Sequence, residues 1–171
     1  VASVLVEAGI VALLFDLLTQ SEAQDRRKVF DIELLADRLI QAASWAVQQP
    51  QIKGLPVGLF GASTGSAAAL LAAASHPSLV AAVVSRGGRP DLASQDLPAV
   101  RAPTLLIVGS EDEPVLTWNR QAFERLRCTK ELEIIPGAGH LFEEPGALEQ
   151  VAVLARDWFL RYLLPPSYPS A

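Results

Sequence analysis

Serine, histidine and an acid can together cleave an acyl bond when a fold brings them to one place. This chain offers each at a few positions. Gly61-Ala62-Ser63-Thr64-Gly65 fits the pattern G-x-S-x-G. By composition alone a chain of this length meets that pattern roughly one time in twenty, so its setting has to decide. The setting is an apolar run, PVGLFG, that passes directly into an alanine-rich stretch, SAAALLAAAS. A serine at a sharp strand-to-helix turn stands exposed above the sheet edge, with the free N–H groups and positive dipole end of the helix behind it. Glycine is expected at both flanks, because a side chain at either would crowd neighbouring backbone.

Serine is a weak nucleophile without a base. The chain has two histidines. His76, in SHPSL at the end of the alanine-rich stretch, reads as a helix-end residue. His140, in the loop PGAGHLFEEPG after the last strand-like run, reads as the base. A base needs an acid that fixes its tautomer and stabilises the imidazolium. GSEDEPV offers Glu111, Asp112 and Glu113. Asp112 is preferred, since it sits in a Gly-x-x-Asp turn just past a strand-like run.

Positioning these residues requires elements that end at a common edge. Short apolar runs alternate with helical patterns along the whole chain. VASVLVEAG reads as the end of a helix stopped by Gly9, and IVALLFDLL as a short buried strand ending near Asp16. TQSEAQDRRKVF is a polar loop. DIELLADRLIQAASWAVQQ has apolar residues at helical spacing, with Asp31 as N-cap and Pro50 just beyond. PVGLFG, LVAAVVSRGG, PTLLIVGSED and KELEIIPG complete five strands. SAAALLAAAS, TWNRQAFERLR and LEQVAVLARDWFLRYLL are the intervening and final helices, and RPDLASQDLPAVRA is a connection with one helical turn. Continuous apolar strands separated by helices predict an α/β fold, a mostly parallel sheet covered by helices on both faces. In such sheets ligands gather at the carboxyl ends of the strands. That edge carries Asp16 to Thr19, Gly61 to Ser66, Arg86 to Asp91, Gly109 to Val115, and Gly137 to Phe142.

Composition excludes several classes. The chain is 50% hydrophobic and 19% charged with a net charge of −5, which suits one globular domain over residues 1–164 with a short tail, 165–171. The acidic balance gives no basic patch for nucleic acid. Glu7, Gly9 and Asp16 interrupt the longest apolar stretch, so no membrane span is expected. The same stretch lacks the basic flank of a signal peptide. The single cysteine, Cys128, permits no intrachain disulfide, is too few for a cysteine zinc site, and suits a reducing, cytoplasmic setting. It reads as a small core residue. Trp45, Trp118 and Trp158 fall on helices and read as packing residues. The chain starts at Val1 and has no methionine, so either its first residue was removed or it is part of a longer polypeptide.

The segments LLFDLL, VFDIELLADRL, PVGLFGASTGSAAAL, VVSRGGRPDLA, APTLLIVGSEDEPV and PGAGHLFEEPGALE cover nearly the whole chain. In them the sequence resembles the α/β-hydrolases of the dienelactone-hydrolase-like group, including hydrolases found beside or fused to phosphoribosyltransferases. The chain order Ser, Asp, His is that of α/β-hydrolases. The resemblance implies an esterase or lactonase with Ser63 as nucleophile, Asp112 as acid and His140 as base, and no metal or cofactor. Dienelactone hydrolases proper use a cysteine nucleophile, where this chain has serine.

The resemblance also implies strands ahead of the first one seen here, one of them between the runs ending at Asp16 and Phe60, followed by a His-Gly-type segment that gives an oxyanion-hole N–H. This chain contains no such segment, which leaves the backbone N–H of Thr64 as the donor. One lost donor costs about 3 kcal/mol of transition-state stabilisation. Either the two runs pair directly, or another subunit covers them. The exposed strand edge predicts a homo-oligomer, dimeric or tetrameric, with residues before Asp16 at the interface. Arg86, Gly87, Gly88 and Arg89 follow the third run on the active edge and are candidates for contact with an anionic substrate group or for donating an N–H, or form a plain turn with surface arginines. With no room for a large lid between Arg86 and Pro103, the expected partner is a small, accessible ester. The other reading is a degenerate hydrolase domain that serves as a binding module.

Overall fold

The computed structural model describes residues 1–164, so the expected tail lies outside the described residues. Four strands, β1 (Val57–Ala62), β2 (Val80–Arg86), β3 (Thr104–Gly109) and β4 (Lys130–Ile135), form a parallel sheet in the order β1-β2-β3-β4. Six α-helices accompany them among the described residues: α1 (Ala2–Glu7), α2 (Arg26–Val29), α3 (Ile32–Ala46), α4 (Thr64–Ser75), α5 (Val115–Arg125) and α6 (Ala147–Leu163). Two short 3-10 turns, Pro90–Ala93 and Leu97–Ala99, replace the single helical turn expected between β2 and β3.

Side chains alternate across each strand, and both faces are covered. Leu59, Val83 and Leu106 point towards α3 and α4, while Ala82, Val84, Leu105 and Ile107 point towards α1 and α6. That double burial explains the continuous apolar runs. It is also why α4 is apolar all round: it lies between the sheet and α3, and its alanines let both approach closely. Asp31 caps α3 as expected, its Oδ1 accepting the Leu34 N–H at 3.0 Å.

The register fixes the working edge. Ala62 lies beside Arg86, Arg86 beside Ile107, and Gly109 beside Ile135, so all four strands end within two residues of one another. The loops leaving them carry Ser63, Arg86 to Asp91, Asp112 and His140.

The expected first strand is not formed. Residues 10–18 make no ladder, and β1 is the edge of the sheet. Val11 (64%), Leu13 (51%), Leu14 (72%) and Phe15 (44%) are exposed. Direct pairing with β1 is therefore also overturned. The two segments form opposite walls of an apolar cleft of about 1260 Å³ that runs from Leu55 to Thr64 and Gly65. An apolar run becomes a strand only when a ladder partner lies within hydrogen-bonding reach, and across this cleft none does.

The polar loop that follows is held by charge. Arg38 donates to both oxygens of Glu22, at 2.7 and 2.9 Å, and to the Leu17 carbonyl at 2.8 Å; Lys28 adds a bond to Glu22 at 3.1 Å. The Arg38 guanidinium, helped by the Thr19 N–H and Lys28, holds the Glu22 carboxyl far below its ordinary value of 4.5. A carboxyl with a depressed folded value stabilises fully above its unfolded value and loses that contribution as pH falls towards the folded one. Glu22→Gln is accordingly expected to melt below wild type at neutral pH, with the gap narrowing steadily below pH 4.5. Thermal melts across that range check it; a gap independent of pH would mean that the charge does not hold the loop.

Candidate active site

Ser63 links the last residue of β1 to the first of α4 with φ +50° and ψ −122°. Few residues other than glycine take a positive φ, and one that does is held there by its surroundings. Here the surroundings are the loop after β2. The Ser63 N–H donates to the Arg86 carbonyl at 3.4 Å, and the Arg89 N–H donates to the Ser63 carbonyl at 3.1 Å, as does the Ser66 N–H at 3.1 Å. Below the turn, Ser66 Oγ donates to the Gly61 carbonyl at 3.1 Å and lies 2.5 Å from Ser85 Oγ, whose hydroxyl it can accept.

The two flanking glycines differ in their reasons. A Cβ on Gly61 would lie 2.6 Å from the Gly65 carbonyl carbon and 2.7 Å from Ser66 Cα, so only glycine fits. A Cβ on Gly65 would meet nothing within 4 Å. The expectation of crowding at both flanks is therefore corrected: Gly65 lines the open cleft beside β1, and there is no neighbour for a side chain to strike.

The residues expected as acid and base meet. His140 Nδ1 and Asp112 Oδ2 are 2.8 Å apart; the Asp112 side chain is 8% exposed and that of His140 is 40% exposed. Glu111 and Glu113 are engaged elsewhere, with the Ser110 and Thr117 hydroxyls, both at 3.0 Å. Three bonds tie the acid loop to the base loop: Ser110 N–H to the Ile135 carbonyl (3.0 Å), Glu111 N–H to the Ala138 carbonyl (3.0 Å), and Gly137 N–H to Ser110 Oγ (2.8 Å). Glu144 accepts the Gly139 N–H at 3.0 Å. Phe142, at φ +57° and 2% exposed, anchors the base loop in the core. Its side chain drops beside Gly87, where a Cβ would lie 3.3 Å from the Phe142 ring and 3.5 Å from His140 Nδ1. The base thus rests on the same loop that holds Ser63. Among the described residues Ser63 Oγ makes no hydrogen bond; catalytic contacts in unbound sites are often long and tighten with substrate.

Arg86 ends β2 with its guanidinium 5.5 Å from the centre of the Phe142 ring and its Nε buried without a partner. Burial pushes its pKa down. Arg89 is fully engaged, bidentate to Asp91 at 2.9 and 2.7 Å and stacked 4.1 Å over Trp118. Gly87 is buried against the base loop and Gly88 against Ser66 and Ser85, and the Gly87 N–H donates to the Ile107 carbonyl at 2.8 Å.

His76 is the C-cap residue of α4, its ring beside Ser75 Oγ at 3.0 Å. Cys128 is half-buried against the core and donates to Thr104 Oγ1 at 3.7 Å, and burial pushes its thiol pKa up. Trp158 is 3% exposed, but Trp45 is 56% exposed and does not pack as expected. No described helix is long and apolar enough to cross a membrane. Reading the sequence placed Phe142 on the active edge without a role and missed Glu144, although PGAGHLFEEPG places an apolar residue and an acid within a few positions of His140.

Residues 1–162 match the model of the dienelactone hydrolase family. The crystal structure of dienelactone hydrolase from Anabaena variabilis is 56% identical, superimposes with a TM-score of 0.90, and is matched over 95% of this chain and 77% of that one. Two proteins of Mycobacterium tuberculosis, provisionally named as phosphoribosyl transferases, are 58% identical over 166 residues. Those residues are 97% of this chain and 38% of each relative, so the chain spans well under half of their length.

Proposed function

The chain belongs to the dienelactone hydrolase family, and from that premise we propose that it is a serine hydrolase of small carboxylic esters or lactones. Ser63 Oγ attacks the acyl carbon while His140 Nε2 takes its proton. Asp112 holds the other ring nitrogen and stabilises the imidazolium that forms. The helix-start N–H of Thr64, which has no partner within α4, faces the developing oxyanion. His140 then protonates the leaving alkoxide, and the same base draws a proton from water to release the acid. The observation that carries this reading is the 2.8 Å bond between His140 and the nearly buried Asp112, set at the edge where Ser63 is held at positive φ. Arg86, half-buried with its guanidinium against the Phe142 ring of the base loop, is the candidate contact for an anionic substrate group.

A fluorophosphonate probe tests the reading. Phosphonylation is expected at Ser63 alone, in proportion to enzyme; folded protein that stays unlabelled supports the binding-module reading instead.

We also propose that the chain self-associates through the open edge of β1 and the exposed apolar stretch from Val11 to Phe15. Unpaired strand edges beside apolar surface are templates for association. Sedimentation at micromolar concentration is expected to show dimers or larger species, and Leu14→Asp to shift them towards monomer. A wild-type monomer across that range ends the proposal.

A further inference from the structure

The strained turn at Ser63 is held by the loop from Arg86 to Arg89, and the question is what holds that loop. One side chain on α5 does. Asn119 is fully buried, and its Nδ2 donates to the Gly88 carbonyl at 3.0 Å and to the Val115 carbonyl at 2.8 Å. Both partners are carbonyl oxygens, so the orientation of the amide is fixed: the NH2 group faces them and Oδ1 points away, with no hydrogen-bond partner among the described residues.

That arrangement is poor for stability alone. A buried acceptor without a partner bears its full desolvation cost. Leucine, of similar shape, would fill the same space without it. The bond to Val115 lies within one helical turn and ties nothing distant. What asparagine adds is the bond to Gly88, which joins α5 to a loop 31 residues away in sequence.

The helix it joins also carries the acid. Asp112 precedes α5, and the Leu116 N–H donates to the Asp112 carbonyl at 2.8 Å. One rigid helix therefore fixes the acid at its first turn and, through Asn119 and Gly88, the support of the nucleophile at its second. The Arg89 N–H that grips the Ser63 carbonyl follows Gly88 directly.

We propose that Asn119 is a positioning residue, which holds the loop after β2 so that Ser63 keeps its attacking geometry relative to the base-acid pair. The catalytic half of this proposal rests on the serine-hydrolase reading above; the geometric half does not. The test uses Asn119→Leu in the whole chain, with Thr104→Val as the comparison. Thr104 is a buried polar residue at the opposite end of its strand, bonded to the Ala102 carbonyl at 2.9 Å.

Two readouts separate the halves. Amide exchange at Arg89 is expected to speed up about tenfold or more in Asn119→Leu and to stay unchanged in Thr104→Val. Turnover of p-nitrophenyl acetate is expected to show kcat reduced about tenfold in Asn119→Leu with KM within about twofold of wild type, and neither changed in Thr104→Val. The melting temperature of Asn119→Leu is expected to lie near that of wild type, because the unpaired Gly88 carbonyl replaces the unpaired Oδ1. Unchanged Arg89 exchange in folded Asn119→Leu overturns the proposal, as does an equal loss of kcat in Thr104→Val. Faster exchange in protein that hydrolyses no ester even as wild type leaves the positioning role standing and removes the serine-hydrolase reading. Should the leucine variant not fold, Asn119→Ala is read by the same two measurements.

Discussion

Ser63→Ala is expected to fold as wild type and to lose p-nitrophenyl acetate turnover by about five to six orders of magnitude. The loss is large because the nucleophile, its base and the acid act as a unit. Removing the oxygen that attacks leaves His140 and Asp112 with nothing to activate. The fold survives because the elbow is held by backbone bonds from the Arg86–Arg89 loop and by Ser66, none of which uses Ser63 Oγ. The backbone also gives a second signature. Alanine at φ +50° keeps the strain of the turn, whereas glycine relaxes it, a difference of about 1 kcal/mol. Ser63→Gly is expected to melt above Ser63→Ala while being equally inactive. Turnover that survives in pure Ser63→Ala would put the chemistry elsewhere.

Asp112→Asn is expected to cost about four orders of magnitude in kcat while the protein keeps its fold. The reason is the tautomer. The carboxylate accepts the proton on His140 Nδ1 and leaves Nε2 free to take the proton of serine. An asparagine amide can instead donate to Nδ1, which moves the ring proton to Nε2 and blocks the transfer. Solvent cannot restore the acid, because the Asp112 side chain is 8% exposed. The neighbouring acids provide the contrast. Glu111 accepts the Ser110 hydroxyl and Glu113 the Thr117 hydroxyl, so Glu111→Gln and Glu113→Gln are expected to retain kcat within about twofold. Steady-state kinetics on the three variants decide which carboxylate orients the base. A loss in Glu111→Gln equal to that in Asp112→Asn would overturn the choice of Asp112.

Four strands and the helices between them were legible because burial on both faces leaves a local mark, a run of apolar residues ended by glycine or a charge. PVGLFG became β1 and PTLLIVGSED became β3 with little change of limits. IVALLFDLL carries the same mark, yet forms no strand. A strand is a relation between two segments, and composition cannot supply the second. Within the site, Ser63 was legible from its flanks, and Asp112 and His140 from the strand ends that they follow. Among the three acids, a preference for Asp112 came from the turn; its contact with His140 is a matter of loop packing that spacing alone does not encode. Asn119 and Phe142 left no mark. One looks like any polar helix residue, and the other, an ordinary apolar loop residue by type, sits at φ +57° because the core accepts its ring there. Gly65 misled in the other direction, since its pattern suggested crowding where the structure has open space.

The sole thiol of the chain is a built-in reporter of its own packing. Cys128 lies between the end of α5 and the start of β4, half-buried against the core, with its Sγ turned to Thr104 Oγ1. Burial raises its pKa, so little of it is the reactive thiolate at neutral pH. An alkylating reagent therefore reacts with it slowly in the folded chain and at the rate of a free thiol once the chain is unfolded. The ratio of the two rates measures how far the fold shields the segment that joins α5 to β4.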